Sequence, residues 1–166
     1  MRPDQDRLDA PLAAALCEAI GGGTGSPANI DSLTGIAGGS ISRALLVECA
    51  GERYFVKLND AELADMFSAE ADGLRALAAC PALRVPQVLG HGVSGRQAYL
   101  LLEYLPLQAL RTDQHGAKAG HALAALHRLH GPQYGWHRDN FIGSTVQLNA
   151  EHRTWPFFFA HRRLLP

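Results

Sequence analysis

The stretch IAGGSISRALLVECAGERYFVKLNDAELADMFSAE, from Ile36 to Glu70, decides the fold. Gly38-Gly39-Ser40 reads as a turn between Ile36 and the strand-like run Ile41-Ser42-Arg43-Ala44-Leu45-Leu46-Val47-Glu48. A second turn, Ala50-Gly51-Glu52-Arg53, leads into Tyr54-Phe55-Val56-Lys57-Leu58-Asn59. Lys57 ends a run of large apolar residues, where an ammonium needs a carboxylate or a phosphate beside it. Glu70 lies in the middle of the helix that follows and is the natural partner. It falls among Leu63, Met66, Phe67, Leu74 and Leu77, whose spacing is helical. A surface glutamate at the edge of that stripe fits the same spacing.

A glycine turn over a sheet lets backbone N–H groups approach phosphate oxygens without side-chain obstruction. A lysine then neutralises the phosphates and a helix glutamate holds the lysine in place. The stretch therefore has the parts of a nucleotide-phosphate clamp in the order such a clamp needs.

Upstream, Asp9-Ala10-Pro11 opens a helix through Leu12, Leu16 and Ile20, with proline tolerated in the first turn. Gly21-Gly22-Gly23-Thr24-Gly25-Ser26-Pro27 is expected to stop it. This glycine run is not a G-x-x-x-x-G-K-[ST] phosphate loop, because no lysine follows and no strand precedes it. Asn29–Ala37 is expected to be the first strand, and Asp60 to cap the helix Ala61–Ala79. Downstream, Gln87–Gly92 and Gln97–Pro106 read as two further strands, the second ending in the corner Glu103-Tyr104-Leu105-Pro106. The edge of that corner could offer backbone donors and acceptors to an adenine ring. The fold class is α+β: a five-stranded antiparallel sheet with a helix inserted after the third strand, then helices. Those are Gly116–His130 and Thr154–Leu165, with an irregular stretch from Gly131 to Ser144 between them. The expected organisation is residues 1–28 as helix and linker, 29–106 as a nucleotide-binding lobe, and 107–166 as hinge and the start of a helical lobe.

The composition narrows the classes of function. A net charge of −1 favours neither nucleic acid nor an anionic membrane as a partner. No apolar run approaches membrane-spanning length, and the start Met1-Arg2-Pro3-Asp4-Gln5-Asp6 does not resemble a signal peptide. Cys17, Cys49 and Cys80 are scattered and odd in number, as expected of reduced thiols in a cytoplasmic protein. His127 and His130 lie a turn apart with His121 nearby, but no glutamate or cysteine accompanies them, so no metal site is expected there. The aromatic residues Phe157 to Phe159 are expected to be core rather than function, or exposed where their packing partners lie outside this chain.

Several segments together resemble the fructosamine (ketosamine-3-) kinases. They are Gly38-Gly39-Ser40-Ile41-Ser42, Tyr54-Phe55-Val56-Lys57-Leu58-Asn59, Met66-Phe67-Ser68-Ala69-Glu70-Ala71, Arg84-Val85-Pro86 and Leu101-Leu102-Glu103-Tyr104-Leu105. The likeness continues through Leu123-Ala124-Ala125-Leu126-His127 and Trp155-Pro156-Phe157-Phe158-Phe159. Its most specific part is Gly135-Trp136-His137-Arg138-Asp139-Asn140-Phe141-Ile142-Gly143-Ser144-Thr145.

The resemblance implies a protein-kinase-like fold and phosphorylation of the sugar 3-hydroxyl of glycated amines, with ATP and Mg2+. It implies that Gly38, Gly39, Ser40, Ile41 and Ser42 cover the phosphates. Lys57 would bind them, Glu70 would pair with Lys57, and Glu103, Tyr104, Leu105 and Pro106 would border the adenine. Asp139 and Asn140 match the signature, either as a structural loop or on the substrate side. The family's catalytic loop, of the type H-G-D-L-W-x-x-N, has no counterpart, since no His-Gly-Asp occurs in the sequence. The expectation is a nucleotide-binding half without the catalytic base or the magnesium ligands, inactive alone. The alternative is a non-catalytic module that holds nucleotide. A plain structural domain would have no reason to set Lys57 and Glu70 on facing apolar elements.

Overall fold

The computed structural model describes residues 8–24, 29–37 and 41–166. These fall into two compact units, one from the spans Met1–Ala71 and Pro86–Pro106, the other from Asp72–Val85 and Leu107–Pro166.

The first unit is a helix packed on a sheet. Helix α1 (Ala10–Thr24) is followed by β1 (Ile30–Ile36), β2 (Arg43–Cys49) and β3 (Glu52–Asp60). A 3₁₀ turn (Ala61–Leu63) leads into α2 (Ala64–Leu77), and β4 (Val88–Ser94) and β5 (Gln97–Glu103) complete the sheet. The strand order is β1-β2-β3-β5-β4, with every neighbour antiparallel. The five strands and the inserted helix are those expected from the sequence. Alternation along β2 and β3 sends Leu45, Val47, Val56 and Leu58 to one face. There they join Leu12, Leu16 and Ile20 of α1 and Leu101 of β5 in a single core.

Helix α1 ends at Thr24, inside the run Gly21 to Pro27 that is expected to stop it. The helix continues through Gly21 to Thr24. Glycine lowers helix propensity by about 1 kcal/mol per residue relative to alanine. Three large side chains buried against the sheet outweigh a deficit of that size. Asp60 differs from expectation. It stands at the N-cap position but makes no side-chain capping bond. The first N–H of the turn, that of Ala61, donates instead to the carbonyl of Arg96 at 3.0 Å. Along α2 the buried residues are Phe67, Ala69 and Ala71, while Leu77 is exposed. A helix buried at those three positions is covered on more than one side, whereas the stripe pattern assumes a single face.

The second unit contains the end of α2, α3 (Asp113–Leu126), the short strands β6 (Asn140–Ile142) and β7 (Thr145–Gln147), and α4 (Trp155–Phe159). A π-helical turn (Ala160–Leu164) follows α4. Thr112 caps α3, its hydroxyl oxygen accepting from the His115 N–H at 3.2 Å. The segment from Gly131 to Ser144 is less irregular than expected, because β6 and β7 pair as a hairpin. The two-residue turn Gly143-Ser144 joins them, and Gly143 has φ 64°. A glycine-led pair between Phe141-Ile142 and Thr145-Val146 is a hairpin signal. The last helix also departs from one continuous element: its α-helical part is five residues long. Of its aromatic residues only Phe158 is buried, so the exposed alternative holds for most of the cluster.

The core gives a direct test. Leu16→Ala removes a fully buried side chain from the centre of the α1–sheet contact. It should lower stability by about 2–5 kcal/mol, read from the urea midpoint of the first unit's unfolding. A loss below about 1 kcal/mol would mean that α1 is not part of that core.

Candidate functional site

Lys57 sits on the central strand of the sheet, paired with Ala44 of β2 on one side and Leu100 of β5 on the other. Val56 and Leu58 point into the core, so Lys57 projects from the opposite face. Its Nζ donates to Glu70 Oε2 at 2.6 Å, which settles the partner of Glu70. The same ammonium lies 5.9 Å from the centre of the Phe67 ring, at the outer limit of a cation–π contact. Phe67 and Glu70, three residues apart on α2, therefore hold the lysine together. The Lys57 side chain keeps 26% of its exposure and that of Glu70 keeps 35%, which leaves the ammonium accessible to a ligand. A pair this exposed contributes at most about 1 kcal/mol to stability. Its consequence is a fixed position for a cation.

Asn59, two residues further along β3 on the same face, donates from Nδ2 to the carbonyl of Ile41 and to Ser42 Oγ, both at 3.3 Å. This fastens Ile41 and Ser42, which follow the glycine run in sequence, to the strand that carries Lys57. Gly38, Gly39 and Ser40 lie outside the described residues. Nothing in the spacing singled out Asn59. Its role depends on the β2–β3 register, which only the folded sheet fixes.

The corner after β5 lies three residues along the strand from Leu100, the partner of Lys57, roughly 10 Å away. The Glu103 N–H donates to the Gln87 carbonyl at 2.9 Å, and Glu103 Oε2 accepts from the Gln87 N–H at 3.1 Å. The carboxylate of Glu103 is thus bound to the segment before β4. Tyr104 lies under Arg53, whose guanidinium carbon is 4.7 Å from the ring centre. Leu105 is half-buried and Pro106 exposed.

Asp139 and Asn140 belong to the second unit, where both side chains bind Asn149. Asp139 Oδ1 accepts from the Asn149 N–H at 2.7 Å, and Asn140 Oδ1 accepts from Asn149 Nδ2 at 2.8 Å. Asn149 is almost fully buried, and its remaining groups are also engaged. Nδ2 donates a second time to the Arg138 carbonyl, Oδ1 accepts from Arg163 Nη2 at 2.6 Å, and the backbone carbonyl accepts from the Trp136 N–H at 2.9 Å. A buried asparagine with all its groups satisfied fixes the segments around it. The π-helical turn brings Arg163 there, and its guanidinium also covers the Phe158 ring at 4.7 Å. Gly135, at φ 132°, passes so close that an added Cβ would lie 2.6 Å from the Asn149 carbonyl oxygen. Asn149 and Arg163 carry no sequence signal, because no motif or period points to them.

Arg138 donates to Asp72 Oδ2 at 2.8 Å, tying the same segment to the end of α2. This hydrogen bond holds the Asp72 carboxyl below its ordinary 3.8, with Arg75 and His137 adding to the effect. Among the described residues no three histidine, cysteine, aspartate or glutamate side chains gather into a metal-binding group. Cys49 and Cys80 are buried, Cys17 is half-buried, and all three are free. No helix among the described residues is long and apolar enough to cross a membrane.

Two predictions test this part of the structure. Asn149→Ala orphans several buried partners and should cost about 1–3 kcal/mol or more, measured by thermal denaturation. The second concerns acid. A carboxyl depressed on folding adds stability above its unfolded value and loses it as pH falls through the folded one. The stability gap between the wild type and Asp72→Asn should therefore be full above about pH 5 and shrink below 3.8. A gap unchanged down to about pH 2 would contradict the Asp72–Arg138 assignment.

Comparison with known proteins places this geometry in a family. Residues 13–166 match the family model described as fructosamine kinase. A Synechocystis protein assigned as a ketoamine kinase is 42% identical over 142 residues, 85% of this chain and 48% of the relative. A solved Haemophilus somnus structure assigned as a fructosamine-3-kinase superposes with a TM-score of 0.81 at 28% identity, covering 89% of this chain and 50% of that one. Its counterpart from Thermobifida fusca gives 0.74 at 30% identity, over 92% and 51%. The chain spans about half the length of the curated relatives it matches. The five-stranded sheet with its inserted helix is the α+β, protein-kinase-like arrangement of these neighbours. The chain belongs to the fructosamine kinase family.

Proposed function

We propose that the chain is the nucleotide-binding half of an ATP-dependent kinase of the ketosamine-3-kinase type, acting on the sugar 3-hydroxyl of glycated amines. The observation that carries the reading is the Lys57–Glu70 pair, an accessible ammonium held by a helix carboxylate on the central strand. Such a cation fits the phosphates of ATP. The glycine turn from Gly38 to Ser42 would cover those phosphates from above, anchored at Ile41 and Ser42 by Asn59. The adenine would lie along the corner Glu103 to Pro106, where β5 ends.

Mg2+ would neutralise charge on the ATP phosphates. Its ligands and the catalytic base would come from a segment containing the family's H-G-D-L-W-x-x-N loop, which this sequence does not contain. Asp139 and Asn140, possible substrate-side residues by resemblance, act on this reading as props for Asn149. The setting is cytoplasmic, the partners are ATP and a ketosamine, and neither nucleic acid nor membrane takes part. The absence of a His-Gly-Asp tripeptide also supports a second reading, a module that binds nucleotide without transferring phosphate.

ATP should raise the melting temperature, with about 2.7 kcal/mol of added stability at one hundred times Kd. Lys57→Ala should abolish the shift; a shift that survives would remove the clamp assignment. With ATP, Mg2+ and a fructosyl-amine, this chain alone should yield no phosphorylated sugar. Product would show that a base is present after all.

A further inference from the structure

The backbone ladder between β2 and β3 stops at the pair Arg43–Leu58. Beyond it β3 runs on through Asn59 and Asp60, paired with Ala98 and Gln97 of β5. One step further in the β2–β3 register would set Ser42 opposite Asn59. There the Asn59 side chain takes over from the backbone. Its Nδ2 donates to the Ile41 carbonyl and to Ser42 Oγ, both at 3.3 Å. Its Oδ1 accepts from the Asp60 N–H at 3.0 Å. A backbone N–H can only donate and a carbonyl can only accept, so these partners fix which end of the amide faces which way. Ile41 is the first described residue after the glycine run, and its side chain is exposed. Asn59 stands two residues from Lys57 on the same face of β3. One strand therefore carries both the ammonium and the amide that holds the segment after the glycines.

We infer that Asn59 is a positioning residue for the phosphate end of the site and sets its preference for ATP over adenosine. The inference rests on the nucleotide reading above and adds to it a residue on which phosphate recognition depends. Asn59 acts through Ile41 and Ser42 rather than by touching nucleotide. Backbone N–H groups bind phosphate better when they are oriented beforehand, because less conformational freedom is lost on binding. Adenosine has no phosphate and is indifferent to that order.

The test uses the whole chain and two readouts. Calorimetric titration with ATP and with adenosine gives the ratio of their affinities. In Asn59→Ala that ratio should fall about three- to tenfold, the loss expected for one or two neutral hydrogen bonds. Amide exchange of the nucleotide-free variant should be faster at Ile41 and Ser42 than in the wild type, with the buried strand residues Val56 and Leu101 unchanged. Ser42→Ala removes one acceptor and keeps Asn59, so it serves if Asn59→Ala folds poorly. It should move both readouts the same way by a smaller factor. An unchanged ratio, an equal loss for adenosine, or unaltered exchange at Ile41 and Ser42 would overturn the inference. If the wild type bound neither ligand, the nucleotide reading and the stated preference would fall together, while faster exchange would still establish the positioning role.

Discussion

The nucleotide reading depends on one ion pair, Lys57 with Glu70. Each partner is only partly buried, and the pair contributes little to folding free energy. What it constrains is position. A lysine on the central strand of a five-stranded sheet has a rigid root, because β2 and β5 pin the backbone on both sides. Its flexible end is then held by a carboxylate and an aromatic ring three residues apart on one helix. The core on the opposite face, shared by α1 with residues of β2, β3 and β5, keeps that sheet in place. Burial on one face and a located charge on the other follow from the same alternation along β3.

The second unit is built on a different principle. It has few buried apolar side chains, and its order is concentrated in a buried asparagine whose groups are all hydrogen-bonded. The most specific stretch of the family resemblance, from Gly135 to Thr145, surrounds that asparagine. Gly135 is required by a backbone approach that no side chain could tolerate. Arg138, Asp139 and Asn140 supply its ties. At these positions the side chains of the signature brace a buried asparagine.

The sheet and the Lys57–Glu70 pair were legible in the sequence, for reasons visible in particular residues. Strand alternation, the Ala50-Gly51 turn and the order lysine-then-glutamate are local signals, and each appeared where expected. Glu70 was ambiguous, because helical spacing cannot tell a stripe from its edge; the contact with Lys57 resolved it. What stayed hidden was non-local. Asn59 depends on strand register, and Asn149 and Arg163 depend on a loop meeting a π-helical turn fourteen residues further along. The end of α1 falls inside the glycine run that signals it, with three glycines still helical beyond the packed side chains Leu12, Leu16 and Ile20.

The chain contains two lysines, Lys57 and Lys118, which makes the central claim open to one direct measurement. An acyl-phosphate derivative of ATP transfers its acyl group to an amine held beside the phosphates. After brief labelling and peptide mapping, the account predicts modification of Lys57 that excess ATP suppresses, with Lys118 labelled weakly and regardless of ATP. Equal labelling of both lysines, or labelling of Lys57 that ATP does not suppress, would contradict it.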